Sequence, residues 1–112
     1  MKNKFNAKKV KYKDITFDSI KEYRYYLKLE QLKKATDKKE RVFDIELQPR
    51  YDIIVNKIKI GFYKADFKVY YTDRIETIDV KGLKKGSAYQ LFRLKKKLVE
   101  ALYNIKIIEV WE

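Results

Sequence analysis

Cysteine and histidine are both missing from this chain of 112 residues, and each absence closes off a block of chemistry. Without cysteine there are no disulfides, no thiolate nucleophile and no cysteine metal site, so the fold does not rely on an oxidising compartment. Without histidine there is no histidine-based triad, no histidine-ligated zinc and no nuclease design that needs an imidazole base. Any catalysis must come from carboxylates, lysine, arginine, tyrosine or hydroxyls. Also lacking is an apolar run approaching the roughly 20 residues that cross a bilayer, and the opening segment MKNKFNAKKVKYK has no signal-peptide core. The expectation is a soluble, cytoplasmic protein with no membrane partner.

Acidic residues are the minority. Lys and Arg number 28 against 16 Asp and Glu, a net charge of +12. Such a field attracts polyanions at long range, and counterion release from phosphates makes the binding strong and salt-sensitive. Nucleic acid is the leading partner, with a merely solvated basic surface as the alternative. No basic helix with an apolar membrane face stands out, which weakens a lipid reading. Apolar residues make up 46% and aromatics 15%, with 10 tyrosines, a globular composition of single-domain size. Residues 1–13 read as a basic N-terminal arm, with Phe5, Val10 and Tyr12 as its apolar members, and 14–112 as one domain.

Two helices bracket most of a sheet in the periodicity. Ser19 and Glu22 form a capping-box pattern that opens a helix running to about Lys34. From Val42 the period changes to two. Strands are expected at Val42–Leu47, broken by Gln48-Pro49, and at Tyr51–Val55, turning at Asn56-Lys57. A further strand carries Ile58, Ile60 and Phe62, and alternation resumes with Ala65, Phe67, Val69 and Tyr71. Thr72-Asp73 turns the chain and Ile75–Lys81 returns. Ser87 to Gln90 repeats the capping pattern, with Leu91, Leu94, Leu98, Ala101 and Leu102 as the apolar stripe of a second helix ended by Asn104. Ile105–Trp111 supplies a last strand. The expected fold class is α/β or α+β, a mixed sheet flanked by two helices.

If Thr72 and Asp73 form a two-residue turn, Asp66 lies opposite Asp79, and Phe67 opposite Ile78. Phe67, Val69, Ile78 and Val80 then share the core side, while Asp66, Asp79 and Lys81 share the other. Opposed Cβ atoms stand roughly 4.5–5.5 Å apart, a range at which two carboxylates repel unless a cation lies between them. Oxygen ligands of this kind suit Mg²⁺ or Mn²⁺, and a lysine beside them can orient water or neutralise charge on a phosphate. Glu22 faces inward on the first helix and is a third candidate, although helix capping alone accounts for it equally well. For the two aspartates the competing account is a solvated outer face on which Asp79 pairs with Lys81 or Lys68. Aspartate is unfavourable in strands, and two in register weaken that account.

The spaced set Asp66 and Asp79-Val80-Lys81, with a glutamate on the preceding helix and a helix following, resembles the PD-(D/E)XK superfamily of restriction-endonuclease-like nucleases. The resemblance covers about residues 15–111. Phe17-Asp18-Ser19-Ile20-Lys21-Glu22, Leu47-Gln48-Pro49, Tyr63-Lys64-Ala65-Asp66-Phe67 and Asp79-Val80-Lys81-Gly82 are similar to a branch of small phage and prophage proteins described as Holliday-junction-resolvase-like. Ala65 stands where the motif's eponymous proline would be. The resemblance implies an αβββαβ core, with Asp66, Asp79 and the Val80 carbonyl ligating Mg²⁺. It gives Lys81 the task of positioning water and stabilising the phosphate, and Glu22 that of assisting metal or water. Gln48 recurs near the site in this branch, although a turn role beside Pro49 explains it as well. Lys84, Lys85 and Lys95 are candidate DNA contacts, Lys95 with the alternative of a solvated lysine at the edge of the apolar stripe.

The implied function is a metal-dependent DNA endonuclease that leaves 5′-phosphate ends. A domain of this size has no separate sequence reader, so recognition by backbone and shape is expected, on branched or duplex DNA. Symmetric cutting of two strands implies a homodimer. Two alternatives remain: a non-catalytic basic nucleic-acid-binding module, and a phage protein that engages a host protein through its basic surface.

Overall fold

Pairing begins before the first helix. In the computed structural model, which describes residues 9–82 and 85–111, β1 (Val10–Tyr12) and β2 (Ile15–Phe17) form a short antiparallel hairpin. The end of the expected basic arm is thus joined to the fold, and residues 1–8 lie outside the described residues. Ser19 then caps α1 (Ile20–Leu32) by accepting a hydrogen bond from the Glu22 N–H at 3.1 Å, as expected from the capping pattern. The helix stops two residues short of Lys34, where the Lys33 and Lys34 N–H groups bond three residues back, to Glu30 and Gln31 carbonyls.

The middle of the chain is one long antiparallel ribbon with a bend. Its base pairs β3 (Val42–Leu47) with β6 (Phe67–Tyr71), and its outer part pairs β4 (Arg50–Val55) with β5 (Ile58–Lys64). The register runs through the bend unbroken: Leu47 faces Phe67 and Arg50 faces Lys64. Between them the Gln48 N–H donates to the Asp66 carbonyl at 3.0 Å and the Ala65 N–H to the Pro49 carbonyl at 3.1 Å. Gln48 has a φ of 49°, a left-handed conformation that rotates the following strand. The expected strand from Ala65 to Tyr71 is therefore divided: Ala65 packs on one side of the domain and Phe67 on the other. Asn56 and Lys57, both at positive φ, close the ribbon's tip as expected.

β7 (Ile75–Lys81) returns beside β6 with the anticipated register, Phe67 opposite Ile78 and Lys68 opposite Thr77. After α2 (Ser87–Tyr103), β8 (Ile107–Trp111) adds parallel to β7. The main sheet has the order β3-β6-β7-β8. With the β4–β5 extension set aside, the chain runs α1, β3, β6, β7, α2, β8, an α+β arrangement with a mixed sheet between two helices.

Each sheet face carries its own core. On the α1 side lie Phe67, Val69, Ile78 and Val42 with Leu29 and Phe17. On the α2 side, Tyr51, Ile53, Tyr63 and Ala65, swung over by the bend, meet Phe92, Val99 and Ile107. Burying each large side chain contributes about 1.5–3 kcal/mol. The leucine stripe expected to bury α2 does not do so: Leu91, Leu94 and Leu102 are exposed, and the buried positions are Phe92 and Val99. The Phe92 ring lies 6.1 Å from that of Tyr63, and an aromatic ring buries more apolar surface there than a leucine. Ser87 does not cap α2 either; the capping position is Gly86, at a φ of 96°, with Ser87 as first helical residue. Asn104 ends the helix in the left-handed conformation, as expected.

The bend at Gln48 yields a direct test. A β-branched residue tolerates a left-handed backbone poorly, so Gln48→Val should lose about 1–2 kcal/mol of stability in urea unfolding, while Gln48→Gly should lose none.

Candidate functional site

Asp66 occupies the bend, where β5 leaves one pairing and β6 begins the next. Its N–H donates to the Ile78 carbonyl at 3.0 Å and its carbonyl accepts from Gln48. Its side-chain Oδ2 accepts the Val80 N–H at 2.7 Å. The β6–β7 ladder ends at Phe67 with Ile78, so Asp66 lies one step beyond the last formal pair, and its carboxyl is still close enough to Asp79 to feel that charge. Asp79, on β7, is only 3% exposed. Its Oδ1 lies 2.9 Å from Lys81 Nζ, and its Oδ2 accepts a hydrogen bond from the Tyr63 hydroxyl. A solvated outer face is thus excluded for Asp79, because the bend brings Tyr63, and α2 brings Phe92, across that side of the sheet. Thr77, two residues earlier on the same face, is likewise buried and bonds the Tyr51 hydroxyl at 3.1 Å.

Glu22 joins them from α1. Its N–H serves the helix cap, and its carboxyl lies close to both the Asp66 carboxyl and the Asp18 backbone, so one residue closes the helix end and faces the site. Burial and then the nearby Asp18 raise the affinity of Glu22 for a proton, while the bond with Asp66 lowers it. Asp66 is affected more strongly: burial first, then Asp79 and Glu22, push its carboxyl up to about 9. Asp66 thus favours its protonated form at neutral pH, first because it is buried and then because Asp79 and Glu22 stand close.

Lys81 is held twice, by Asp79 and by the Phe92 ring, whose centroid lies 3.7 Å from its Nζ. Val80 contributes its N–H to Asp66 and packs its side chain with the α1 core. Gln48 lies with Glu22, Asp66, Phe17 and Leu47 around a cleft of about 240 Å³, so it serves both the bend and the site. Lys85 is exposed at the approach to α2, and Lys84 falls outside the described residues. Lys95 is not brought to the carboxylates: its Nζ lies 5.7 Å from the Phe62 ring on β5, which Arg50 also covers at 4.0 Å.

Two residues escaped the sequence reading. Tyr63 stands in the motif around Asp66 with no role of its own, since its reach to Asp79 depends on the bend. Lys21 packs against Gly82: a Cβ at Gly82 would come within 2.7 Å of Lys21 Nζ, so the missing side chain makes room for a second ammonium group just past Lys81 at the end of β7.

Among the described residues no group of three or more acidic side chains is already arranged as a metal cage. The donors present do fit a hard divalent ion. Glu22, Asp66 and Asp79 offer only oxygen, burial and then neighbouring acids raise the proton affinity of Asp66 and Glu22, and a carboxylate oxygen has a second lone pair beyond the bond it already makes.

The shifted Asp66 carboxyl sets a pH dependence. The folded chain keeps its proton up to about 9, whereas the ordinary value is 3.8, so the folded state binds more protons across that interval. Stability is then fullest below pH ~4 and declines as pH rises through ~9. In chelator, Asp66→Asn should flatten that decline and gain on the order of 1–2 kcal/mol at pH 7, read as a higher Tm. Tyr63→Phe should lose about 1–3 kcal/mol by leaving the buried Asp79 oxygen short of a donor.

No curated protein matches the chain, and no solved structure does. One family model matches residues 2–111, that of a protein of unknown function, DUF1064. With its match spanning nearly the whole length, from the lysine-rich start through the carboxylate cluster to β8, the chain belongs to the DUF1064 family.

Proposed function

We propose that this protein is a metal-dependent endodeoxyribonuclease of the PD-(D/E)XK type, acting on the backbone of branched or duplex DNA. The observation that carries this reading is the convergence of Glu22, Asp66 and Asp79 from three separate elements, with the Lys81 ammonium 2.9 Å from Asp79. A purely structural ion pair needs one acid for that lysine. The order α1, β3, β6, β7, α2, β8 and the net charge of +12 support the same reading.

Asp66 and Asp79, with the Val80 carbonyl, would hold Mg²⁺ or Mn²⁺, with Glu22 assisting. The ion supplies activation of water and neutralisation of phosphate charge. The chain's own residues do the rest. Lys81, braced against Phe92, presents a fixed ammonium to the negative charge that grows on the phosphate. Tyr63 holds Asp79 in one orientation through its hydroxyl. Lys21, beside Gly82, adds positive potential at the end of β7 next to Lys81. Glu22 and Asp66, sharing a proton between them, can take one up or release it as the ion binds. Cutting paired strands of a junction calls for two such sites related by a two-fold axis, and hence a homodimer.

The alternative, a non-catalytic basic DNA-binding module, is favoured by one observation: both oxygens of Asp79 already have partners within the chain. Cleavage of four-way junction, flap, duplex and single-stranded DNA, each with Mg²⁺ or chelator, separates the two. Asp79→Ala should abolish Mg²⁺-dependent cutting and leave DNA binding equal or tighter, because a negative charge is lost; cutting that survives this change overturns the assignment. Mg²⁺ or Mn²⁺ should also raise the Tm of the wild-type chain and not that of Asp79→Ala, a readout independent of activity.

A further inference from the structure

A second cleft, of about 570 Å³, opens between α2 and β8, the outermost strand of the main sheet. Two kinds of side chain define it. Trp111 and Tyr89 stand at one end with ring centroids 5.8 Å apart, and Trp111 is 39% exposed. Gln90, Arg93 and Lys97 follow along one face of α2, spaced three and four residues apart and so stacked on successive turns.

The acids in the cleft are committed elsewhere. Glu109 is bound by Lys96 at 2.7 Å and by the Tyr89 hydroxyl at 3.3 Å. Glu100 accepts the Ile107 N–H at 2.8 Å, tying α2 to β8. Arg93 and Lys97 form no ion pair among the described residues, and both are exposed. Two uncommitted cations in a row beside an aromatic platform match the alternating phosphates and bases of a polynucleotide.

The sheet register ties this cleft to the carboxylates. Trp111 is the direct partner of Lys81, and Glu109 of Asp79, across the β7–β8 pairing, so the platform stands one strand spacing, roughly 5 Å, from the lysine of the site. Both side chains of each pair lie on the α2 side.

We infer that the α2–β8 cleft binds an unpaired stretch of nucleic acid, one base stacking on Trp111 with Tyr89, tilted 59° to it, flanking the base, while Arg93 and Lys97 hold the adjoining phosphates. A base inside a duplex presents only its edge to such a platform, so an unstacked base is required. The site needs neither metal nor bond cleavage, and it goes beyond the nuclease reading. If that reading holds, the cleft selects substrates with an unpaired strand next to the scissile phosphate.

Trp111 is the only tryptophan in the chain, so its fluorescence reports on this cleft alone. Full-length protein in chelator is titrated with oligothymidylate, an abasic strand of equal length, thymidine monophosphate and a blunt duplex. Oligothymidylate should quench the tryptophan, and the abasic strand should bind about ten-fold more weakly without quenching. Equal affinity for the two strands, unmoved fluorescence, or monophosphate binding as tight as the strand overturns the inference. Arg93→Ala with Lys97→Ala should weaken strand binding and reduce its salt dependence by about one to two counterions, and unchanged binding in that double variant counts equally against it. Trp111→Phe, followed by anisotropy of a labelled strand, tests stacking while keeping a ring in place. Chelator removes cleavage from every arm, so a chain that quenches but never cuts rejects the nuclease alone, and one that cuts without quenching rejects the cleft alone.

Discussion

Everything near the site is organised by the hydrogen bonds that Asp66 makes at the bend. Its backbone ties β7 through Ile78 and the β3–β4 junction through Gln48, while its carboxylate takes the Val80 N–H. Those bonds let a ribbon change direction without losing register. They also force a carboxylate into a half-buried position beside two others, where it binds its proton abnormally tightly. The residue that stitches the strands together is thus the one that the fold leaves electrostatically unsatisfied, and the mismatch between its backbone and side-chain roles separates it from an ordinary strand aspartate.

Much of this was legible in the residues themselves. The β6–β7 register followed from hydrophobic phase and a two-residue turn, because a slip by one would have buried the wrong set of side chains. The capping bond from Glu22 to Ser19, the tip at Asn56-Lys57 and the end of α2 at Asn104 were also readable, since each rests on local backbone chemistry. The nearness of Asp66 to Asp79 followed from extending that register one step past its last pair, Phe67 with Ile78.

The remainder depended on tertiary packing. Gln48 adopts a left-handed conformation without being glycine or asparagine, so nothing in its type announced the bend, and the passage of Tyr51 and Tyr63 to the α2 side went with it. The rotation of α2 was misread for a related reason. Leucines at helical spacing formed the more regular stripe, but the space over β4, β5 and β7 is filled by Phe92 and Val99, with Lys81 lying on the Phe92 ring. Shape and a half-buried ammonium outweighed hydrophobic periodicity. The burial of Asp79 could not be seen from alternation, which places a residue on a face and does not tell what covers it.

The supports of the two walls of the cluster differ in kind. Asp79 rides on an interior strand paired on both sides and roofed by a helix on each face, so its amide should be among the last in the molecule to exchange with deuterium. Glu22 belongs to the first turn of α1, where intrahelical bonds are fewest and a single serine oxygen holds the end. One carboxylate therefore works as a fixed post and the other as an adjustable arm. Strain placed on the cluster would therefore be taken up at the helix end before it reached the sheet, since one wall is anchored by a strand ladder on each side and the other by a single cap.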